Sequence, residues 1–217
     1  INRIATNSLT IGKITDTAAA LDDAMQIGGR NMLRNSKAGI QAIGTDYPTH
    51  TTRSFLVNDK GFGEITVTSN NVPSHDSQQY QYWWLHGLIT EYPKQGDYYT
   101  YSFEYKTNCN APSVWLDIRY PVVELRFVLE NTDGEWKKAS LLCKWDSVTT
   151  QNLILTGVNL GQVGEGLYIS LRKFKFEKGN KATDWTPAPE DVQEDYATKF
   201  GYSSYSDLVT KATEGST

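Results

Sequence analysis

Between residues 30 and 185 the chain holds nine short runs rich in β-branched and aromatic residues, and no helical period of useful length interrupts them. The runs are RSFLVN, GEITVTS, QYWWLHGLI, YYTYSFEYKT, SVWLDIRY, VELRFVLE, KASLLCKW, NLILTGV and GLYISLRKFKFEK. Turn residues part them: Asn58 to Gly61, Lys94 to Asp97, Thr132 to Gly134 and Gly164 to Gly166. Parallel sheets need crossover helices, and this stretch has none. The strands must therefore run antiparallel, in two sheets packed face to face.

Alternation assigns the faces. In YYTYSFEYKT, Tyr99, Tyr101, Phe103 and Tyr105 fall on one side and Thr100, Ser102, Glu104 and Lys106 on the other. In SVWLDIRY, Val114, Leu116, Ile118 and Tyr120 are expected in the core, which turns Trp115, Asp117 and Arg119 outward. Solubility alone does not select a Trp in such a row. Trp136 precedes its strand and is expected to cover one end of the sandwich.

The two flanks differ from this centre. In residues 1–27, Ile4, Ile11, Ile14, Ala18, Leu21 and Met25 fall on one heptad seam, with Asn7 in the remaining core slot. A coiled-coil stalk and a single amphipathic helix over residues 15–26 both fit this pattern, and Gly12 weakens the longer one. Residues 28–189 form the sandwich module. Residues 190–217 read as two short helices broken at Gly201 and Tyr202, the second capped by Ser204 with Asp207 three residues on. This tail is expected to start a next module or to pack weakly on this one.

Charge and motif content exclude several functions. The net charge of −4 comes with no basic patch, which argues against a nucleic-acid backbone as partner. No apolar run approaches the roughly 20 residues of a membrane span. No signal peptide is visible; the first residue is Ile, so the sequence reads as a piece of a longer protein. Two cysteines, Cys109 and Cys143, make no framework, and two buried thiols are the simpler reading beside a disulfide. His50, His75 and His86 are too dispersed for a local metal pair. Neither a nucleophile elbow, nor HExxH, nor a phosphate loop is present, so the chain is read as no enzyme.

An ordered set of motifs remains: GRNMLRNS at 29–36, YYTYSFEYKTN in the middle, GEWKKASLL, and KFKFEKGNKATDWTPAPED at 173–191. Together they resemble the carbohydrate-binding-module-like jelly-roll domains of bacteriophage and prophage tail proteins, over roughly residues 28–191. The two end motifs carry most of the specificity. The resemblance implies an all-β jelly-roll sandwich and a non-catalytic module that adheres to host surface polysaccharide. It further implies residence in the virion tail after assembly in the bacterial cytoplasm, other tail proteins as partners, and a homotrimer to which the heptad arm would contribute. It leaves a structural calcium open, although no Asp/Asn-rich loop for one can be read. A structural spacer of a tail fibre is the alternative, and a polysaccharide-cleaving enzyme a more distant one.

Sugar recognition needs a flat aromatic surface for the C–H face of a pyranose and planar polar groups for its hydroxyls. Trp115, Asp117 and Arg119 supply both, Arg126 follows one strand later, and Trp84 and His86 share a face of QYWWLHGLI. If these strands are neighbours, the six residues form one surface. The competing reading puts the tryptophans in the core and leaves the charges as an ordinary surface pair. The long loops Gly44 to Arg53 and Asn70 to Tyr82 are a second candidate. In the closing motif, Phe174 and Phe176 are expected to bury, Gly179 and Asn180 to turn the chain, and Trp185 to anchor back on the sandwich. Pro187 and Pro189 are expected to keep the exit free of helix.

Overall fold

The computed structural model describes residues 29–36, 51–57, 63–69, 80–84, 89–119, 122–146, 154–161 and 164–214. The N-terminal arm, His50, His75, His86 and most of the two long polar loops lie outside the described residues.

All nine runs form strands. They are β1 Thr51–Val57, β2 Gly63–Ser69, β3 Tyr80–Trp84, β4 Tyr98–Thr107, β5 Ser113–Arg119, β6 Val122–Val128, β7 Lys137–Lys144, β8 Ile154–Asn159 and β9 Tyr168–Lys178. One sheet has five strands in the order β1-β2-β9-β4-β7, the other four in the order β3-β8-β5-β6. Every pairing is antiparallel. The core lies between the sheets. The five-stranded sheet contributes Ile65, Val67, Tyr99, Tyr101, Phe103, Ile169, Leu171, Phe174 and Phe176; the other contributes Val114, Leu116 and Val158. Tyr99 stacks on Phe176 with ring centroids 5.4 Å apart, and Trp145 meets both rings edge-on. Both cysteines are free and buried.

Strand β9 departs from simple alternation for a packing reason. Ile169 and Leu171 are buried, and so are Phe174 and Phe176. A pleat of period two cannot send odd and even positions to the same face. One extra residue must intervene, and it does. Lys173 adopts φ 54°, and the register with β4 shifts between Ser102 and Glu104. The left-handed conformation at a non-glycine costs about 1 kcal/mol. The ion pair from Lys173 Nζ to Glu104 Oε1, 2.8 Å long, offsets part of it.

The two end motifs close on each other. Asn31, fully buried, sits at their junction. Its amide NH2 lies 2.9 Å from Ser36 Oγ, 3.1 Å from Phe174 O and 2.9 Å from Thr186 O. Its amide oxygen accepts from the Leu33 and Phe176 N–H groups. Met32 N donates to Phe176 O at 2.7 Å, adding a backbone bond across the same seam. Arg30 pairs with Glu190, and Asn35 N donates to Asp191 Oδ1 at 3.1 Å.

Residues 180–188 then fold back over the outer face of β9 and β4. Lys175 and Glu177 point outward from β9, yet this strap buries them completely. They pair at 3.3 Å. Lys175 also donates to Asp184 O, while Glu177 accepts from the Thr183 N–H and hydroxyl. Trp185 does anchor back, its Nε1 donating to Phe174 O at 3.1 Å. The alternation from Phe174 to Glu177 therefore marks buried residues on both sides of the strand, apolar inward and paired polar outward.

Two expectations are corrected. Pro189 starts a helix instead of forbidding one: α1 runs Pro189–Lys199, with proline in its first turn, where the missing N–H costs no hydrogen bond. A second helix, α2, runs Tyr205–Glu214, and the Asp207 N–H bonds the Ser204 hydroxyl as expected of a cap. Trp136 does not cover an end of the sandwich. It lies in register with the outer face of the five-stranded sheet, with the Arg172 guanidinium 3.8 Å and the Lys106 ammonium 4.9 Å from its ring centroid. Among the described residues, no helix is long and apolar enough to cross a membrane.

Candidate functional site

The four-stranded sheet brings five of the six sequence-predicted residues onto one framework. Across it, Tyr82, Gly157, Trp115 and Arg126 form one cross-strand row. The next row holds Trp84, Leu155, Asp117 and Glu124. Arg119 pairs with Val122 at the far end of β5. In the other direction lies the row Tyr80, Asn159, Ser113 and Val128, and Val128 is strongly exposed. His86 lies outside the described residues.

The intervening positions of β5 and β8 face the core. Val114, Leu116, Thr156 and Val158 are all buried. Trp115 is half-buried and Arg126 exposed, on the opposite side. The Arg126 guanidinium carbon stands 5.7 Å from the Trp115 ring centroid. This distance is within cation–π range, worth about 0.5–1 kcal/mol at an exposed site. Gly157, the cross-strand neighbour of Trp115, is buried. The result is an indole with a planar cation beside it, on the face turned away from the core. A pyranose can stack on such an indole while the guanidinium donates to its hydroxyls.

Two positioning residues were missed by sequence reasoning. Thr156 donates its hydroxyl to the Trp115 carbonyl at 2.8 Å, and Tyr101 in the opposite sheet donates to Thr156 Oγ1 at 3.3 Å. Burial pushes the Tyr101 phenol well above its usual range, only partly offset by the bond to Thr156, so it remains a donor. This chain crosses the core and ties the Trp115 backbone to β4. The available signal was a Thr in an inward register of the apolar run NLILTGV, opposite a strand carrying inward tyrosines.

Among the described residues, no three His, Cys, Asp or Glu side chains are grouped so as to hold a metal ion. The carboxylate most altered by its surroundings on the other sheet is Glu104. Burial opposes its charge, but hydrogen bonds from Lys173 and Arg172 outweigh this and hold it below the usual carboxylate range.

Neither any protein-family model nor any curated protein matches the chain. Solved structures do show likeness. An arabinose-bound α-L-arabinofuranosidase matches with 13% identity and a TM-score of 0.48, covering 69% of this chain and 26% of that one. A family 4 carbohydrate-binding module matches at 14% and 0.46, covering 67% of this chain and 99% of that one. The enzymatically active domain of tailspike protein 4 of bacteriophage CBA120 matches at 14% and 0.48, covering 68% of this chain and 21% of that one. The chain thus spans about a quarter of the arabinofuranosidase and a fifth of the tailspike domain.

Proposed function

We propose that the chain is a non-catalytic glycan-binding module, with a jelly-roll fold, that serves adhesion of a phage or prophage tail protein to host surface polysaccharide. The observation that carries the reading is the Trp115–Arg126 pair on the outward face of the four-stranded sheet. Trp115 supplies the stacking surface and Arg126 a forked donor. Asp117 and Trp84, in the adjoining register, and Arg119, in the one beyond it, would extend the contact along a saccharide chain. The tail context rests on the end motifs alone, and trimeric display would multiply weak single-site binding into avidity.

The spacer alternative meets one opposing observation. The sandwich starts and finishes at the same corner: the Thr186 hydroxyl lies 3.4 Å from Gly29 O, and Arg30 pairs with Glu190. Entry and exit at one corner favour a module that projects from a fibre over one that carries load along it. A projecting module would suit display of a binding face.

Titration calorimetry against capsular and cell-wall polysaccharides tests the reading. Binding with a dissociation constant of about 0.1–1 mM per site is expected. Absence of heat with every glycan at millimolar concentration would leave the spacer reading. Release of new reducing ends would move the protein to the enzymes.

A further inference from the structure

The five-stranded sheet carries a concavity on its outer face, remote in topology from the Trp115 face. The strap at residues 180–188 covers Lys175 and Glu177 but stops short of the bulge. Between strap and sheet lies a cavity of about 400 Å³, with Ser102, Glu104, Lys138, Lys173, Asp184 and Trp185 in its walls. This is near the lower end of small-molecule sites, roughly 300–1,000 Å³, and suits one sugar ring better than a chain.

The bulge builds this cavity. Because Lys173 takes the extra position, Lys173 and Arg172 both reach Glu104, at 2.8 Å each. Glu104 is thereby fixed in place and kept ionised, as an acceptor of hydroxyl hydrogen bonds. On the other side Lys138 donates to Thr183 O at 3.0 Å and pairs with Asp184 at 3.6 Å. The half-buried Trp185 indole is locked by its bond to Phe174 O. The walls therefore hold two carboxylates and two ammoniums, a balance of zero. Each charge already has an opposite charge beside it. An anionic sugar would have to compete with Glu104 or Asp184 for the lysines. A neutral polyol can donate to the carboxylates and accept from the ammoniums without disturbing either pair.

We propose that this cavity is a second saccharide site, distinct from the Trp115 face, that takes a single neutral hexose or N-acetylhexosamine residue against Trp185. It does not depend on the Trp115 reading. A module with sites on both sheets can bind two chains, or two segments of one branched polymer.

Fluorine NMR of the whole chain labelled with 5-fluorotryptophan tests it. The Trp185 and Trp115 resonances are assigned with Trp185→Phe and Trp115→Phe. The probes are D-glucose, D-galactose, N-acetyl-D-glucosamine and, as the charged control, D-glucuronate. At least one neutral sugar should shift the Trp185 resonance saturably in the millimolar range, and glucuronate should not. Glu104→Gln, which keeps the side-chain shape, should weaken that response at least about tenfold with the strand signals intact. Trp115→Phe should leave it unchanged. The proposal is overturned if no neutral sugar moves the Trp185 resonance up to about 100 mM. It is equally overturned if glucuronate moves it as strongly, if Glu104→Gln has no effect, or if Trp115→Phe abolishes the response. A shift confined to Trp115 would refute this site while supporting the glycan face; a shift confined to Trp185 would do the reverse.

Discussion

The clasp at Asn31 and the row at Trp115 use similar residue types to opposite ends. At the clasp, an amide, a lysine and a glutamate are closed off from water, each with its hydrogen bonds met inside the protein, and a half-buried tryptophan is tied down by its indole N–H. On the row, a tryptophan and an arginine face solvent and are held from behind, through Thr156 and Tyr101. Substitution at the clasp should therefore be felt in stability, and substitution on the row in binding. In the motif that most identifies the sequence, Lys175 and Glu177 are fully buried and paired. The proposed binding surface lies in the degenerate middle of the chain.

The largest effect is expected at the buried ion pair. Lys175→Met leaves Glu177 as an uncompensated charge with no exposed surface, at a cost of about 3–5 kcal/mol in chemical denaturation. The double variant Lys175→Met/Glu177→Leu should recover much of that loss, because the penalty lies in the unpaired charge. If the single variant costs less than about 1 kcal/mol, the clasp is wetter than described and the contrast with the row collapses.

Asn31→Ala comes next. It strips partners from the Leu33 and Phe176 N–H groups and from the Phe174 and Thr186 carbonyls. A loss of about 3 kcal/mol is expected in the same measurement, with glycan affinity of the folded fraction unchanged. Arg126→Ala should show the converse pattern. Melting temperature should scarcely move, while glycan binding weakens about three- to tenfold, as expected for one charge-assisted donor and one cation–π contact.

The smallest effect concerns pH. Asp191 sits in the clasp with Oδ1 bonded by the Asn35 N–H and Oδ2 buried without a partner. Burial raises its pKa above 3.8, and the Asn35 bond only partly opposes this. A raised folded-state pKa contributes stability below the unfolded value, and that contribution is lost as pH rises through the folded value. Asp191→Asn keeps the Oδ1 acceptor and should gain on the parent protein as pH rises from about 3 to 7, by less than about 1 kcal/mol because the group is partly solvated. A gain in the opposite direction would show that the first turn of α1 favours the anion more than burial penalises it.

Much of the fold was legible because period-two alternation is a local signal. The inward aromatics of YYTYSFEYKT and the inward Val114 and Leu116 follow from it directly. The phase slip in LYISLRKFKF was equally present in the sequence, since Leu171 and Phe174 cannot share a face without a bulge. The burial of Lys175 and Glu177 was not legible. It depends on a strap that returns over the sheet, and polar residues at outward registers ordinarily meet solvent. Trp136 was misplaced for a similar reason: its partners Arg172 and Lys106 come from two other strands, and a single strand does not reveal its neighbours. For the candidate site, sequence supplied the residue types and the face. The adjacency of Trp115 and Arg126 came from the β5–β6 register, and the support from Thr156 and Tyr101 from sheet packing.

The central claim is that Trp115 is a binding residue and not a packing one. Trp115→Ala, compared with the parent by calorimetric titration of a bound polysaccharide and by thermal melting, tests it most directly. Affinity should fall at least about tenfold, with a stability loss below about 1.5 kcal/mol for a half-buried side chain. Unchanged affinity accompanied by a large drop in melting temperature would contradict the account and return Trp115 to the structural residues.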